Sequence, residues 1–318
     1  MTIRINSSID LFSSSQVISL WLADKSSEIT RREYEKDLCY FFRAISNSEI
    51  SEESVNNFLQ ITQAQANAII LFYKKYLQEL KLAPTTINRK ISTIKSFVSI
   101  ANRLELCHFS LKDVVSLEKF KPYRDTSGIS FLEFKKVLTL CKTSSLKGKR
   151  DFALLLLLWT NALRRNEVSL LNVGDFKVSS NKLWILGKGY NEKQAVDLSP
   201  KTVQAIIDWL KSRKNKNINQ NSPLFIALDA RSIGKRLTGD GIYKIVNFYC
   251  KKAKITKQMS PHRIRHSSIT LALDKSQGDI RKVQKLSRHK NLNTLIIYDD
   301  NRNEGQLELS KQLEQDLF

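Results

Sequence analysis

The residues best equipped for chemistry lie near the C-terminus: His262-Arg263-Ile264-Arg265-His266, then His289, then Tyr298 nine positions later. Arginine and histidine supply charge-assisted donors of the kind that grip a phosphodiester. A tyrosine hydroxyl beside such a grip can attack phosphorus and hold it as a covalent intermediate. Two pieces upstream suit the same chemistry. Leu163-Arg164-Arg165-Asn166-Glu167 puts Arg164 at a junction of two predicted helices, where a helix N-terminus adds positive potential. Glu167 follows three residues later, able to orient a guanidinium. Lys188 stands between Gly187 and Gly189 at a predicted hairpin tip, and glycines there let the backbone approach a ligand closely. Taken singly each piece has a plain alternative: a surface ion pair, an exposed turn lysine, a core tyrosine after Leu295-Ile296-Ile297. Their order and spacing together carry the reading.

The elements that must position these residues are mostly helical. Helices are expected over residues 15–22, 27–45, 62–80 and 85–101, each with apolar residues recurring at helical spacing. Thr62 and Gln65 have the spacing of a capping box, and Pro84 fits the first turn of the fourth helix. That helix carries Ile87, Ile91, Ile94, Phe97 and Val98 toward a core, and its polar positions include Arg89, Lys90 and Lys95. Those three are candidates for DNA contact as well as for a solvated face. Residues 119–128 lack periodicity and contain Pro122 and Gly128, the composition of a linker. Ser130 and Glu133 then cap a new helix. The domains are therefore expected at 1–120 and 129–318, joined by residues 121–128.

The second domain reads as helices at 151–161, 165–171, 201–211 and 242–253, with a helix after Ser260-Pro261 bearing the His-Arg cluster. Residues 182–186 and 195–198 are short β-type runs flanking Gly187-Lys188-Gly189, a hairpin with a longer loop. Residues 304–318 are expected to form a short amphipathic helix with Leu307, Leu309, Leu313 and Leu317.

Net charge narrows the partner. The chain carries +21, and residues 121–318 hold 37 basic against 18 acidic residues, whereas residues 1–120 hold 15 against 13. So uneven an excess points to a polyanion, and to nucleic acid before any other. No basic amphipathic helix carries it, which argues against an anionic membrane. The longest apolar run, residues 152–159, is too short to span a bilayer, and residues 1–15 carry no basic-then-apolar leader. Cys39, Cys107, Cys141 and Cys250 are widely spaced, so reduced thiols in a cytoplasmic protein are expected, without a zinc site.

These pieces resemble the tyrosine recombinase (phage-type integrase, Xer-like) family. Its members carry an Arg in a Leu-Arg-x-x-Glu box, a hairpin Lys in Gly-Lys-Gly, a His-x-x-Arg-His box, a later His, and a Tyr nine residues beyond it. Leu163-Arg164 with Glu167, Lys188, His262/Arg265/His266, His289 and Tyr298 match in that order. Thr30-Arg31, Tyr34, Asp37-Leu38 and the segment from Pro84 to Ser92 look like the helical core-binding domain of Xer-type recombinases. One position departs from the pattern: the later His usually follows Leu-Gly, and here Arg288 precedes it. Lys193 shares the hairpin with Lys188, so the choice between them rests on the glycines.

The resemblance implies a mainly α protein, with a helical (SAM-like) N-terminal core-binding domain and a mixed α/β catalytic domain bearing a small sheet. It implies a site-specific recombinase that cuts and rejoins double-stranded DNA through a 3′-phosphotyrosyl intermediate, without metal or nucleotide cofactor. Tyr298 would be the nucleophile, Arg164, Arg265 and His289 the phosphate clamp, His262 the proton acceptor and Lys188 the proton donor. Arg31, Arg89, Lys90 and Lys95 would touch DNA from the first domain, and the two domains would close around the duplex as a clamp. The tail helix would dock on a neighbouring protomer, giving a dimer on one site and a tetramer in synapsis, with accessory DNA-bending or directionality factors open. Two rivals share much of this sequence logic: a catalytically silent DNA-binding protein of the same fold, and a type IB topoisomerase-like relaxing activity.

Overall fold

Short polar residues cap the starts of many of the helices. In the computed structural model, which describes residues 14–25, 27–119, 128–187, 190, 192–213, 218–299, 310–311 and 314–315 (the backbone alone at 14, 29 and 297–299), the chain divides into two compact units, Met1–Tyr123 and Arg124–Phe318.

The first unit contains α1 (Ser14–Ala23), α2 (Glu28–Ser46), α3 (Glu52–Leu59), α4 (Gln63–Glu79) and α5 (Pro84–Arg103). Thr62 and Gln65 form the expected capping box at the start of α4, and Pro84 occupies the first turn of α5. The short helix α3 was not foreseen; Ser51 and Ser54 cap it reciprocally, and eight residues are too few for a periodic signal. The core is aromatic. Phe41 meets Phe42, Phe58 and Tyr73 edge-on at 4.9–5.3 Å, the geometry favoured by ring quadrupoles. Trp21 packs on Phe97 and donates to Ser96 at 3.1 Å.

The second unit contains α6 (Phe131–Thr139), α7 (Leu146–Thr160), α8 (Arg165–Ser169), the strands β1 (Phe176–Lys177), β2 (Lys182–Leu186) and β3 (Lys193–Asp197), then α9 (Pro200–Ser212), α10 (Gly239–Lys252), α11 (Pro261–Lys275), α12 (Ile280–Ser287) and α13 (Asn293–Asp299). Helix α7 is the hub, buried along nearly its whole length and packed against α9 and α11. It starts earlier than its apolar run because the Ser145 hydroxyl accepts from the Gly148 amide at 3.0 Å. Phe134 of α6 stacks on Trp159 at 4.1 Å. The sheet is antiparallel in the order β1-β2-β3, with Leu183 opposite Val196 and Ile185 opposite Gln194. Leu183 and Ile185 point into the core while Trp184 faces out, as the period of two requires. The β2–β3 hairpin was expected; β1, α12 and α13 were too short to be read. Of the C-terminal amphipathic segment, only residues 310–311 and 314–315 are described, both pairs helical. Among the described residues no helix is long and apolar enough to cross a membrane.

Candidate phosphate-binding site

The turn from α7 to α8 organises the site. Helix α7 ends at Thr160, and Ala162 takes a left-handed conformation at φ 45°, a backbone that costs a residue with a Cβ roughly 1 kcal/mol. This bend delivers Arg164 to the extended position preceding α8. Glu167, in the first turn of α8 and 2 % exposed, returns to it. Its Oε2 accepts from the Arg164 backbone amide and its Oε1 from Arg164 Nη1, both at 2.8 Å. The carboxylate therefore fixes both ends of Arg164, while the arginine side chain stays about a third exposed. Orientation of the guanidinium by Glu167 is the relation the sequence spacing suggests.

Helix α11 contributes the second group. The Ser260 hydroxyl caps it by accepting from the Arg263 amide at 3.2 Å, and Pro261 fills the first position. Arg265 is 1 % exposed. Its guanidinium donates to the Ala162 carbonyl and, at 2.5 Å, to the Ser287 carbonyl, and lies 3.3 Å from Nε2 of His289. One turn away, Nε2 of exposed His262 and Nε2 of buried His266 are 2.7 Å apart. At that distance one nitrogen donates and the other accepts, so the pair holds a single proton between its facing nitrogens.

The structure thus brings Arg164, Arg265 and His289 together around the Ala162 turn. His262 lies one helical turn from Arg265, bonded to His266. Tyr298 sits on α13, which packs against α11 and α12. Leu295, three residues earlier and fully buried, joins Ala162, Ile269, Leu273 and Val283 in a small apolar cluster. That cluster seats the tyrosine-bearing helix beside the arginine-bearing turn. Lys188 lies outside the described residues. At the flank of its loop, the Tyr190 ring carries the Lys290 ammonium 4.0 Å from its centroid, which ties the hairpin to the segment following His289. Lys193, the other hairpin lysine, is bonded to Asp175 at 2.5 Å.

Arg288 is the residue whose part the sequence reading missed. It ends α12 in a left-handed conformation, φ 56° and ψ 39°. Its guanidinium donates to the carbonyls of Asn161 (3.1 Å), Leu286 (2.7 Å) and Ala162 (3.4 Å), and to Glu167 Oε2 (3.2 Å). Burial lowers its pKa from the ordinary arginine value; Glu167 opposes that shift and Arg164 reinforces it. The one signal available in the sequence was the departure itself, a long cation next to a site histidine.

The four first-unit positions behave unequally. Arg31 is exposed on α2 and donates to the Lys25 carbonyl at 2.8 Å. Arg89, partly exposed, pairs with Asp37. Lys95 donates to the carbonyls of Lys112 and Val115 at 3.1 and 2.9 Å. Lys90 is 8 % exposed; its ammonium sits 3.1 Å from Asp37 Oδ1 and 3.6 Å from the Tyr40 ring centroid. Lys90 therefore lies on the core side of α5, its ammonium held by Asp37 and the Tyr40 ring.

Comparison with known proteins gives these arrangements a context. A model of the phage integrase family matches residues 130–304, and a model of the phage integrase N-terminal SAM-like domain matches residues 17–104. A tyrosine recombinase of Synechocystis sp. is 47% identical over 289 residues, 91% of each chain. A tyrosine recombinase of Synechococcus elongatus is 42% identical over 298 residues, 93% of this chain and 92% of that one. Among solved structures, the XerH site-specific recombinase bound to palindromic difH substrate in a post-cleavage complex superposes with a TM-score of 0.66 at 21% identity, covering 95% of this chain and 85% of that one. The Tn1549 transposon integrase in complex with circular intermediate DNA does so with a TM-score of 0.58 at 18% identity, covering 89% and 94%. At those identities the structural likeness is one of fold.

Proposed function

This chain belongs to the phage integrase family of tyrosine recombinases, and from that premise we propose that it cuts and rejoins double-stranded DNA at specific sites through a 3′-phosphotyrosyl intermediate on Tyr298. The observation that carries the proposal is the Ala162 turn. One carbonyl accepts from Arg265, the next helix presents Arg164, and Leu295 seats the Tyr298 helix against the same residue. Two guanidinia held from two helices can neutralise the non-bridging oxygens of a phosphate as charge gathers in the transition state, with His289 beside them. Preorganised donors are worth most here because they need no rearrangement as the reaction proceeds.

In the proposed step the Tyr298 oxygen forms a bond to phosphorus and the bond to the 5′-oxygen breaks. A phenol with an unperturbed pKa of about 10 is a poor nucleophile at neutral pH, so its proton must be taken. His262 is the acceptor in this reading, exposed toward an incoming duplex and linked to His266. The leaving 5′-oxygen takes a proton from Lys188; the engagement of Lys193 with Asp175 supports that choice between the two hairpin lysines. Rejoining reverses the step with a new 5′-hydroxyl, the phosphotyrosine having conserved the bond energy, and neither metal nor nucleotide enters the balance.

The solved relatives named as bound to difH substrate and to circular intermediate DNA support duplex DNA as the partner, and the basic excess of residues 121–318 suits it. A dimer on one site and a tetramer in synapsis, bridged by the C-terminal helical segment, complete the proposal. Its test is a suicide duplex nicked near the cleavage position, built from inverted repeats flanking the gene and first shown to bind. Wild type forms a covalent protein–DNA band, and Tyr298→Phe binds equally but forms none. A bound site with no covalent band in wild type would overturn the cleavage reading in favour of a silent binder.

A further inference from the structure

We infer that Arg288 is a positioning residue of the phosphate clamp, holding Arg164 and His289 in register by tying the α7–α8 turn to the end of α12. The inference rests on the strand-cleavage reading above. A left-handed backbone costs a non-glycine residue roughly 1 kcal/mol, and glycine would adopt φ 56° here without penalty. The compensation lies in the side chain. One guanidinium donates to the carbonyls of Asn161 and Ala162 on one side, to the Leu286 carbonyl on the other, and to Glu167 Oε2.

Three of these acceptors, Asn161, Ala162 and Glu167, lead to Arg164. Asn161 and Ala162 immediately precede Leu163 and Arg164. Glu167 uses its other oxygen to hold Arg164 Nη1. Arg265 reaches across the same seam, donating to Ala162 and Ser287. His289, the neighbour of Arg288, lies 3.3 Å from Arg265 and its carbonyl accepts from Gln284 at 3.0 Å. Two arginines thus stitch the turn bearing Arg164 to the segment bearing His289. Arg288 reaches Glu167 as well. Its planar fork can serve acceptors in several directions at once, which a lysine ammonium on a flexible stem cannot reproduce.

The separating experiment uses the full chain, a suicide duplex it binds, and three variants: Arg288→Gly, Arg288→Lys and Tyr298→Phe. Affinity and single-turnover adduct formation are measured on each. The expected result for Arg288→Gly is affinity within about twofold of wild type and adduct formation slowed roughly tenfold to a hundredfold, the penalty of a clamp misplaced by a fraction of an ångström to an ångström. Arg288→Lys stays slow despite its charge. Guanidinium chloride restores part of the Arg288→Gly rate, against sodium chloride at equal ionic strength.

Wild-type rates in Arg288→Gly would overturn the inference, as would full activity in Arg288→Lys. Equal loss of binding and cleavage without guanidinium rescue would reduce Arg288 to a general structural role and overturn it too. These failures differ from failure of the strand-cleavage reading, in which wild type itself forms no adduct or Tyr298→Phe still forms one.

Discussion

Lys90→Met separates two jobs for one lysine. If Lys90 grips DNA, its loss removes a phosphate contact, and the slope of log affinity against log salt falls by about 0.9 while stability holds. If it is an internal strut, the slope holds and stability falls. The structure gives the size of that fall. The charge-assisted bond to Asp37 at 3.1 Å is worth about 1.5–3 kcal/mol, and the ammonium 3.6 Å from the Tyr40 ring about 1–2 kcal/mol. Against this, Met avoids the cost of burying an ammonium and keeps the apolar stem. Asp37 also retains Arg89 and Thr93. The balance is a loss of about 2 kcal/mol. For a unit of this length that lowers the melting temperature by roughly 6–9 °C, readable by calorimetry. Non-specific duplex DNA over a salt series serves for the slope, since phosphate contacts do not require the target site. A slope reduced by about one with an unchanged melting temperature would refute the strut.

Truncation after Asn303 should leave DNA binding and first-strand cleavage intact but abolish synapsis and strand exchange; unchanged rejoining would return the tail to its own protomer. Burial pushes the Cys141 and Cys250 thiols up to about 12. The unfolded thiols ionise near 9, so the stability they contribute is fully present below pH 9 and is lost as pH rises toward 12. Cys250→Ala should flatten that alkaline decline; an identical decline in the variant would argue against it.

Local signals were legible and distant ones were not. The capping boxes of α4 and α6, the prolines opening α5 and α11, and the β2–β3 hairpin all depend on residues within a few positions of each other. Helices α3, α12 and α13 are eight residues or fewer, shorter than a periodic pattern needs to declare itself. The partners of Arg288 lie as many as 127 positions away, so only folding reveals them. Lys90 was visible as a cation, but its burial was not. It stands three residues after Ile87 and four before Ile94, which puts it on the core face of α5, and charge type obscured that spacing. A buried partner, Asp37 on α2, was the missing fact.

The composition of the clamp explains how the site keeps its charge. Three guanidinia converge on the Ala162 turn, from Arg164, Arg265 and Arg288, and Glu167 is the carboxylate bonded to two of them. Burying cations against an equal number of carboxylates would satisfy them and cancel the field. Here carbonyl oxygens of Asn161, Ala162, Leu286 and Ser287 take much of that load. Carbonyls accept hydrogen bonds and orient the donors without removing a unit of charge. A net positive potential therefore survives at a fixed geometry, the property that the proposed phosphate clamp requires. This also accounts for the strained backbone at Ala162 and Arg288: both bends turn carbonyls toward guanidinia that regular helix would leave unsatisfied. Converting Glu167 to alanine and adding a carboxylate to the cluster should consequently damage the site in opposite ways. The first frees the guanidinia from their geometry, and the second holds the geometry while erasing the potential.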